Sequence, residues 1–203
     1  MIDAALLPLQ RRLLAPPGAW LAAHGVRADH LTLAGCAVGL AGAAAAACGL
    51  FGLALLGLAL NRLADGLDGA VARATGPTDR GAFLDIALDF VFYAAFPLGF
   101  VLADPSANAV AGAVLITSFV LSGTSFLAFA VVAAKRGLQA HIFPMKGIYY
   151  LGGLTEGFET IVIFALFCLI PEAFPVLACT FAAAATVTGV TRYAAGWRMF
   201  GER

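Results

Sequence analysis

The chain has 203 residues, 62% of them apolar and 12% charged, with a mean hydropathy of +0.93. A soluble domain of this length carries about twice that share of charge, so the composition excludes a water-soluble enzyme or binding module and indicates an integral membrane protein. Lys and Arg balance Asp and Glu at 12 each; no nucleic-acid partner is expected.

The N-terminal segment MIDAALLPLQRRLLAPPGAW does not read as a cleaved leader, because its arginines follow the first apolar residues and no small-residue cleavage pattern appears. Leu6, Leu7, Leu9, Leu13 and Leu14, with Gln10, Arg11 and Arg12, predict a short amphipathic helix on the membrane surface within residues 1–25. Pro16 and Pro17 are expected to end it.

Six apolar spans follow, drawn at Leu31–Cys48, Leu50–Ala74, Ala82–Ala103, Ala107–Ala134, Gly152–Ile170 and Phe174–Ala195. The expected architecture is an all-α membrane protein, one domain over 1–203, with a six-helix bundle at 31–195. Alternating these spans gathers all 12 Lys and Arg on one side or in the helix ends next to it, while the opposite connections carry only Asp104 and Glu172. The positive-inside rule then puts both termini in the cytoplasm. Cys36, Cys48, Cys168 and Cys179 stand singly in apolar runs and read as small buried hydrophobes; His24, His30 and His141 form no ligand cluster.

The second and third spans hold what the rest of the chain avoids. Asp65 and Asp68 share one helix face with Gly69 and Ala72, and Gly81, Asp85 and Asp89 recur at four-residue intervals on the next span. A short turn, TGPTDR, makes the two helices antiparallel neighbours, so the four carboxylates converge in one layer near the cytoplasmic side. Left alone they would repel one another and be costly to desolvate. Arg62, Arg73 and Arg80 are expected outside the cluster. An oxygen-only donor set favours Mg²⁺, Mn²⁺ or Ca²⁺, and four shared carboxylates suit a pair of ions, the arrangement used in phosphate-ester chemistry. Asp79, off both stripes, reads as a solvated turn residue. The rival reading of intramembrane acids is a cation or proton-coupled transporter.

The string D65-G-L-D68-G69-A-V-A72-R73, seven residues, G81-A-F-L-D85-I-A-L-D89 resembles the signature of the CDP-alcohol phosphotransferases (CDP-alcohol phosphatidyltransferases), D-x2-D-G-x2-A-R-x7/8-G-x3-D-x3-D. All eight positions are filled, and GVRADHLTLAG resembles the segment opening the first span of bacterial members. The resemblance implies transfer of a substituted phosphoryl group from a CDP-linked donor, chiefly CDP-diacylglycerol, to an alcohol, with release of CMP. It implies that Asp65, Asp68 and Asp85 hold Mg²⁺ or Mn²⁺ and that Asp89 shares the metal site and acts as general base. Gly69, Ala72 and Arg73 would face the CDP moiety, and Gly81 would give the nucleotide room. Members are often homodimers, and the resemblance places the protein in phospholipid biosynthesis at the bacterial inner membrane, with a cytoplasmic active site.

For the acceptor, the candidate residues are Lys135, Arg136, Lys146, Tyr149, Tyr150, Glu156, Glu159 and Arg192. A phosphorylated acceptor such as glycerol 3-phosphate needs two or more of these cations; glycerol 3-phosphate is favoured, with inositol phosphate, serine and other polar alcohols as its rivals. Glu156 and Glu159 either bind an amine, pair with Lys146, or cap a helix.

Overall fold

The structure is a computed structural model and describes residues 2–138 and 153–201. Among the described residues seven α-helices run in order: α1 (Ile2–Ala23), α2 (Ala28–Ala47), α3 (Phe51–Thr75), α4 (Asp79–Ala103), α5 (Pro105–Lys135), α6 (Gly157–Leu169) and α7 (Phe174–Phe200), with a 3₁₀ turn at Pro171–Ala173 before α7. Among the described residues there is no strand.

Among the described residues four segments, Ala28–Ala47, Asp79–Ala103, Pro105–Lys135 and Pro171–Phe200, are long and apolar enough to cross a membrane. The remaining two drawn spans differ. The 25 residues of α3 are enough to cross, but its second half carries Arg62, Asp65, Asp68 and Arg73. The fifth span shortens to the 13 residues of α6, roughly 20 Å of helix. Its start is fixed by a capping box: the Glu156 backbone N–H donates to Glu159 Oε2 at 3.0 Å, and the Glu156 side chain in turn accepts from the N3 backbone N–H. Of the three roles open to this acidic pair, the structure shows capping.

The prolines do not stop α1. The helix continues through Pro8, Pro16 and Pro17 to Ala23, because its packing on α3 offsets the lost backbone bonds. Gly18 abuts Ala70, and Leu14 and Gln10 lie over Gly66. Asp79 also differs from expectation: it is the first residue of α4, exposed in that helix's opening turn.

Lipid tails are as apolar as leucine, so helices in a membrane associate through close van der Waals packing rather than hydrophobic burial. The buried face of α2 is accordingly small: Gly35, Cys36, Gly39, Gly42, Ala43 and Ala46. It packs mainly on α3 and α4, and α5 pairs with α7. Residues such as Leu53, Leu56, Leu60 and Leu63 of α3 and Val110 and Val114 of α5 form an apolar exterior. Cys36 and Cys168 are buried, as expected of small hydrophobes, whereas Cys48 and Cys179 lie on that exterior.

At the α2–α3 crossing the backbones nearly touch: a Cβ on Gly57 would sit 2.7 Å from Gly42 Cα. Gly57→Ala should therefore destabilise the bundle by about 1–3 kcal/mol, read as a lowered unfolding midpoint in detergent. Gly52→Ala, where a Cβ meets nothing within 4 Å, should leave the midpoint unchanged or raise it. Equal midpoints for the two variants would refute the close-packing account.

The core is aromatic. Phe92, Phe96 and Phe100 of α4 meet Phe164 and Phe167 of α6 and Phe174 of α7, all nearly inaccessible. Phe96 stacks on Phe164 with centroids 5.0 Å apart, and Phe100 on Phe174 at 5.3 Å. These phenylalanines thus serve helix packing. They also fix the rotation of α4 about its axis, which aims the acids one to two turns earlier.

Candidate active site

The site is built by the α3–α4 junction. Gly76, at φ 99°, ends α3 in a conformation that favours glycine. Thr78 then caps α4 by accepting a hydrogen bond from the Gly81 N–H at 3.0 Å. So tight a turn forces the two helices side by side with their acidic faces opposed.

Asp65, Asp68 and Asp85 each place one carboxylate oxygen so that all three lie within 4.8 Å of one another. Asp68 is the buried member, 6% exposed, and its Oδ2 accepts a 2.6 Å hydrogen bond from the Thr32 hydroxyl of α2. Asp89 lines the same cleft, with Thr32, Gly35, Cys36, Asn61 and Leu88 among its other walls. Its Oδ1 accepts from Arg62 Nη2 at 3.0 Å, and Arg62 Nη1 stands 3.6 Å from Asp65 Oδ2.

Arg62 was expected outside the cluster; it lies within it, one turn before Asp65 and bridging α3 to α4. The i, i+3 spacing to Asp65 was the signal that could have found it. Thr32 and Asn61 give no such signal for their contacts across helices: Thr32 reaches Asp68 of α3, and Asn61 Nδ2 donates to Gly35 O of α2 at 2.9 Å.

The donor set fits a divalent cation. Three carboxylate oxygens within 4.8 Å are a small side-chain adjustment from enclosing an ion at roughly 2.0–2.6 Å, and oxygen donors select hard cations over zinc.

The positions that the resemblance assigns to the nucleotide, Gly69, Ala72, Arg73 and Gly81, follow the cluster along α3 and open α4. Among the described residues, a Cβ on Gly69 would meet only Arg73, its Nη1 at 3.2 Å. A Cβ on Gly81 would meet Thr78 Oγ1 at 3.2 Å and Asp29 Oδ1 at 3.5 Å. Asp29, at the start of α2, pairs with Arg80 at 2.5 Å and Arg27 at 3.4 Å, tying the first turns of α2 and α4 together. Ala72 is half-buried on α3, and Arg73 is exposed in its last turn.

The acceptor candidates separate. Arg136 donates to the backbone carbonyls of Met199 and Phe200, at 3.2 and 2.8 Å, and so caps the end of α7. Arg192 is 7% exposed and donates to Ser122 Oγ at 3.3 Å. Lys135 is exposed at the end of α5. Lys146, Tyr149 and Tyr150, with His141, lie outside the described residues.

The family model for CDP-alcohol phosphatidyltransferase matches residues 26–191. The chain is 47% identical over 197 residues to the inner membrane protein YnjF of Escherichia coli K12, covering 97% of this chain and 96% of that one. Among solved structures it resembles the phosphatidylinositol phosphate synthase PgsA1 of Mycobacterium tuberculosis with CDP-DAG bound, at TM-score 0.72 and 23% identity over 92% of this chain and 94% of that one. A second structure of that synthase, in complex with manganese and citrate, matches at the same TM-score and identity over 91% and 88%. At this identity the structural likeness establishes the fold; the family model and the E. coli relative establish membership. The chain belongs to the CDP-alcohol phosphatidyltransferase family, membrane transferases of phosphate-containing groups.

Proposed function

We propose that this protein moves a phosphatidyl group from CDP-diacylglycerol to a small polar alcohol, releasing CMP, in phospholipid biosynthesis. The observation that carries the proposal is the convergence of Asp65, Asp68 and Asp85 within 4.8 Å, inside a fully matched eight-position signature. The CDP-DAG and manganese bound by the similar M. tuberculosis synthase support the choice of donor and cation.

Asp65, Asp68 and Asp85 would hold Mg²⁺ or Mn²⁺, with Asp89 sharing a two-ion site. Bound cations would neutralise the pyrophosphate oxygens and make CMP a better leaving group. Gly69, Ala72, Arg73 and Gly81 seat the CDP moiety beside the acid cluster. Asp89 takes the proton of the acceptor hydroxyl. The acceptor oxygen bonds to the β-phosphorus of the donor as the bond from that phosphorus to the CMP oxygen breaks, and no covalent enzyme intermediate is required.

Glycerol 3-phosphate is our first candidate for the acceptor, with Arg192 and Lys135 as its described cations and Lys146 as a third; inositol phosphate and serine follow. The protein is further proposed to form one domain over 1–203, with residues 1–25 interfacial and 31–195 a six-crossing bundle in which α3 and α6 complete the count. Both termini and the acid cluster face the cytoplasm, and the protein forms a homodimer. The gathering of basic residues on one side supports this orientation.

The test is CMP release by the purified protein from CDP-diacylglycerol across a panel of acceptor alcohols. Release should require both an acceptor and Mg²⁺ or Mn²⁺, and fall to background on chelation. No release with any acceptor in the presence of metal overturns the proposal, and cation flux in proteoliposomes without release would establish a transporter instead.

A further inference from the structure

The acid cleft has a floor. Arg62 lies about 4.5 Å farther along α3 from the α3–α4 turn than Asp65, and its side chain is 19% exposed. All three of its guanidinium nitrogens are engaged. Nε donates to Asn61 Oδ1 at 2.8 Å, Nη2 donates to Asp89 Oδ1 at 3.0 Å, and Nη1 faces Asp65. The guanidinium carbon stands over the rings of Phe92 and Tyr93, at 5.2 and 5.8 Å from their centroids.

Asn61 is itself 4% exposed and anchored on Gly35 O. The helix opposite leaves space for this arrangement: a Cβ on Gly39 would come 2.9 Å from Asn61 Nδ2 and 2.7 Å from the Phe92 ring. A fixed chain of contacts thus runs from the α2 backbone through Asn61 and Arg62 to Asp89 on α4. At its far end, Asp89 is held by a guanidinium, while the three clustered oxygens belong to Asp65, Asp68 and Asp85.

We propose that Arg62 is a positioning residue that holds the Asp89 carboxylate toward the floor of the cleft and competes with divalent cations for Asp65 and Asp89. The inference rests on the proposed transfer with Asp89 as base. A carboxylate drawn fully onto the cations has its lone pairs committed to them, whereas one hydrogen-bonded to a fixed guanidinium keeps its direction toward the acceptor hydroxyl. Arg62 therefore lowers cation affinity and keeps Asp89 competent. Its loss moves the two quantities in opposite directions; the loss of a merely structural residue would weaken both.

The experiment compares wild type, Arg62→Gln and Arg62→Lys in the full-length purified protein. Mn²⁺ binding is followed without substrate by the spin-resonance signal of the free ion, and kcat and KM for CDP-diacylglycerol by CMP release. Removing one positive charge beside two carboxylates should tighten Mn²⁺ binding roughly tenfold in Arg62→Gln, while kcat falls about 100-fold or more and donor KM stays near wild type. Arg62→Lys keeps the charge without the fork. It should bind Mn²⁺ like wild type, with kcat lowered about tenfold through lost orientation alone.

Unchanged or weaker Mn²⁺ binding in Arg62→Gln, or a kcat within threefold of wild type, overturns the inference. If Arg62→Gln does not purify as a monodisperse protein, Arg62→Lys decides alone, and a wild-type kcat there overturns it. A wild type that binds no Mn²⁺ overturns the underlying metal reading instead, so the two failures are distinguishable.

Discussion

Asp68→Asn should abolish CMP release and Mn²⁺ binding together while leaving the fold intact or slightly more stable. Asp68 is the innermost of the clustered carboxylates, 6% exposed, and it takes the Thr32 hydroxyl at 2.6 Å. Asparagine is isosteric and its carbonyl oxygen still accepts that hydrogen bond, so packing of α3 on α2 is preserved. What disappears is one negative charge from a three-oxygen cation seat, and a neutral amide is a poor replacement among hard-cation ligands. Loss of the seat should lower turnover by at least about 10³, some 4 kcal/mol of transition-state stabilisation. In the metal-free protein the same change relieves repulsion with Asp65 and Asp85, so the unfolding midpoint measured in chelator should not fall. Turnover within tenfold of wild type would remove Asp68 from the metal site.

Much of this site was legible because helical periodicity and a short turn constrain it so strongly. Asp65 and Asp68 at i, i+3, Asp85 and Asp89 at i, i+4, and six residues between Ala74 and Gly81 leave few ways to arrange four acids on adjacent antiparallel helices. The aromatic stripe that aims them continues the same face of α4, and it too is a matter of spacing.

The features that escaped are of two kinds. Pro16 and Pro17 are local signals overridden by tertiary packing: α1 gains contacts with Gly66 and Ala70 that outweigh two missing N–H groups. Thr32, Asn61 and Arg62 are long-range partners. Nothing in the neighbourhood of Thr32 says that its hydroxyl meets a carboxylate 36 positions away. Arginines near helix ends are commonly topological charges, yet Arg62 lies farther from the helix end than either acid of α3. The short α6 is a third case: hydropathy continues upstream of Glu156, but the capping pair Glu156 and Glu159 decides where the helix starts.

Asp89→Asn should also eliminate turnover, and the way it differs from Asp68→Asn is the sharper test of the assignments. Asp89 is held by Arg62 at 3.0 Å rather than within the three-oxygen group, and its side chain is 22% exposed toward the cleft. Asparagine can still accept from Arg62 Nη2 but cannot take a proton from an acceptor hydroxyl. General-base removal costs typically about 10² to 10⁴ in rate, so kcat should fall by that factor. Asp65, Asp68 and Asp85 remain, so Mn²⁺ binding should persist, with affinity lowered by no more than about tenfold for one missing neighbouring charge. CDP-diacylglycerol should still bind in the presence of metal. One variant thus loses cation and chemistry together, and the other loses chemistry with the cation retained. If Asp89→Asn abolishes Mn²⁺ binding as completely as Asp68→Asn, Asp89 is a metal ligand first and the proton acceptor must be sought elsewhere in the cleft; if it turns over at the wild-type rate, Asp89 has neither role.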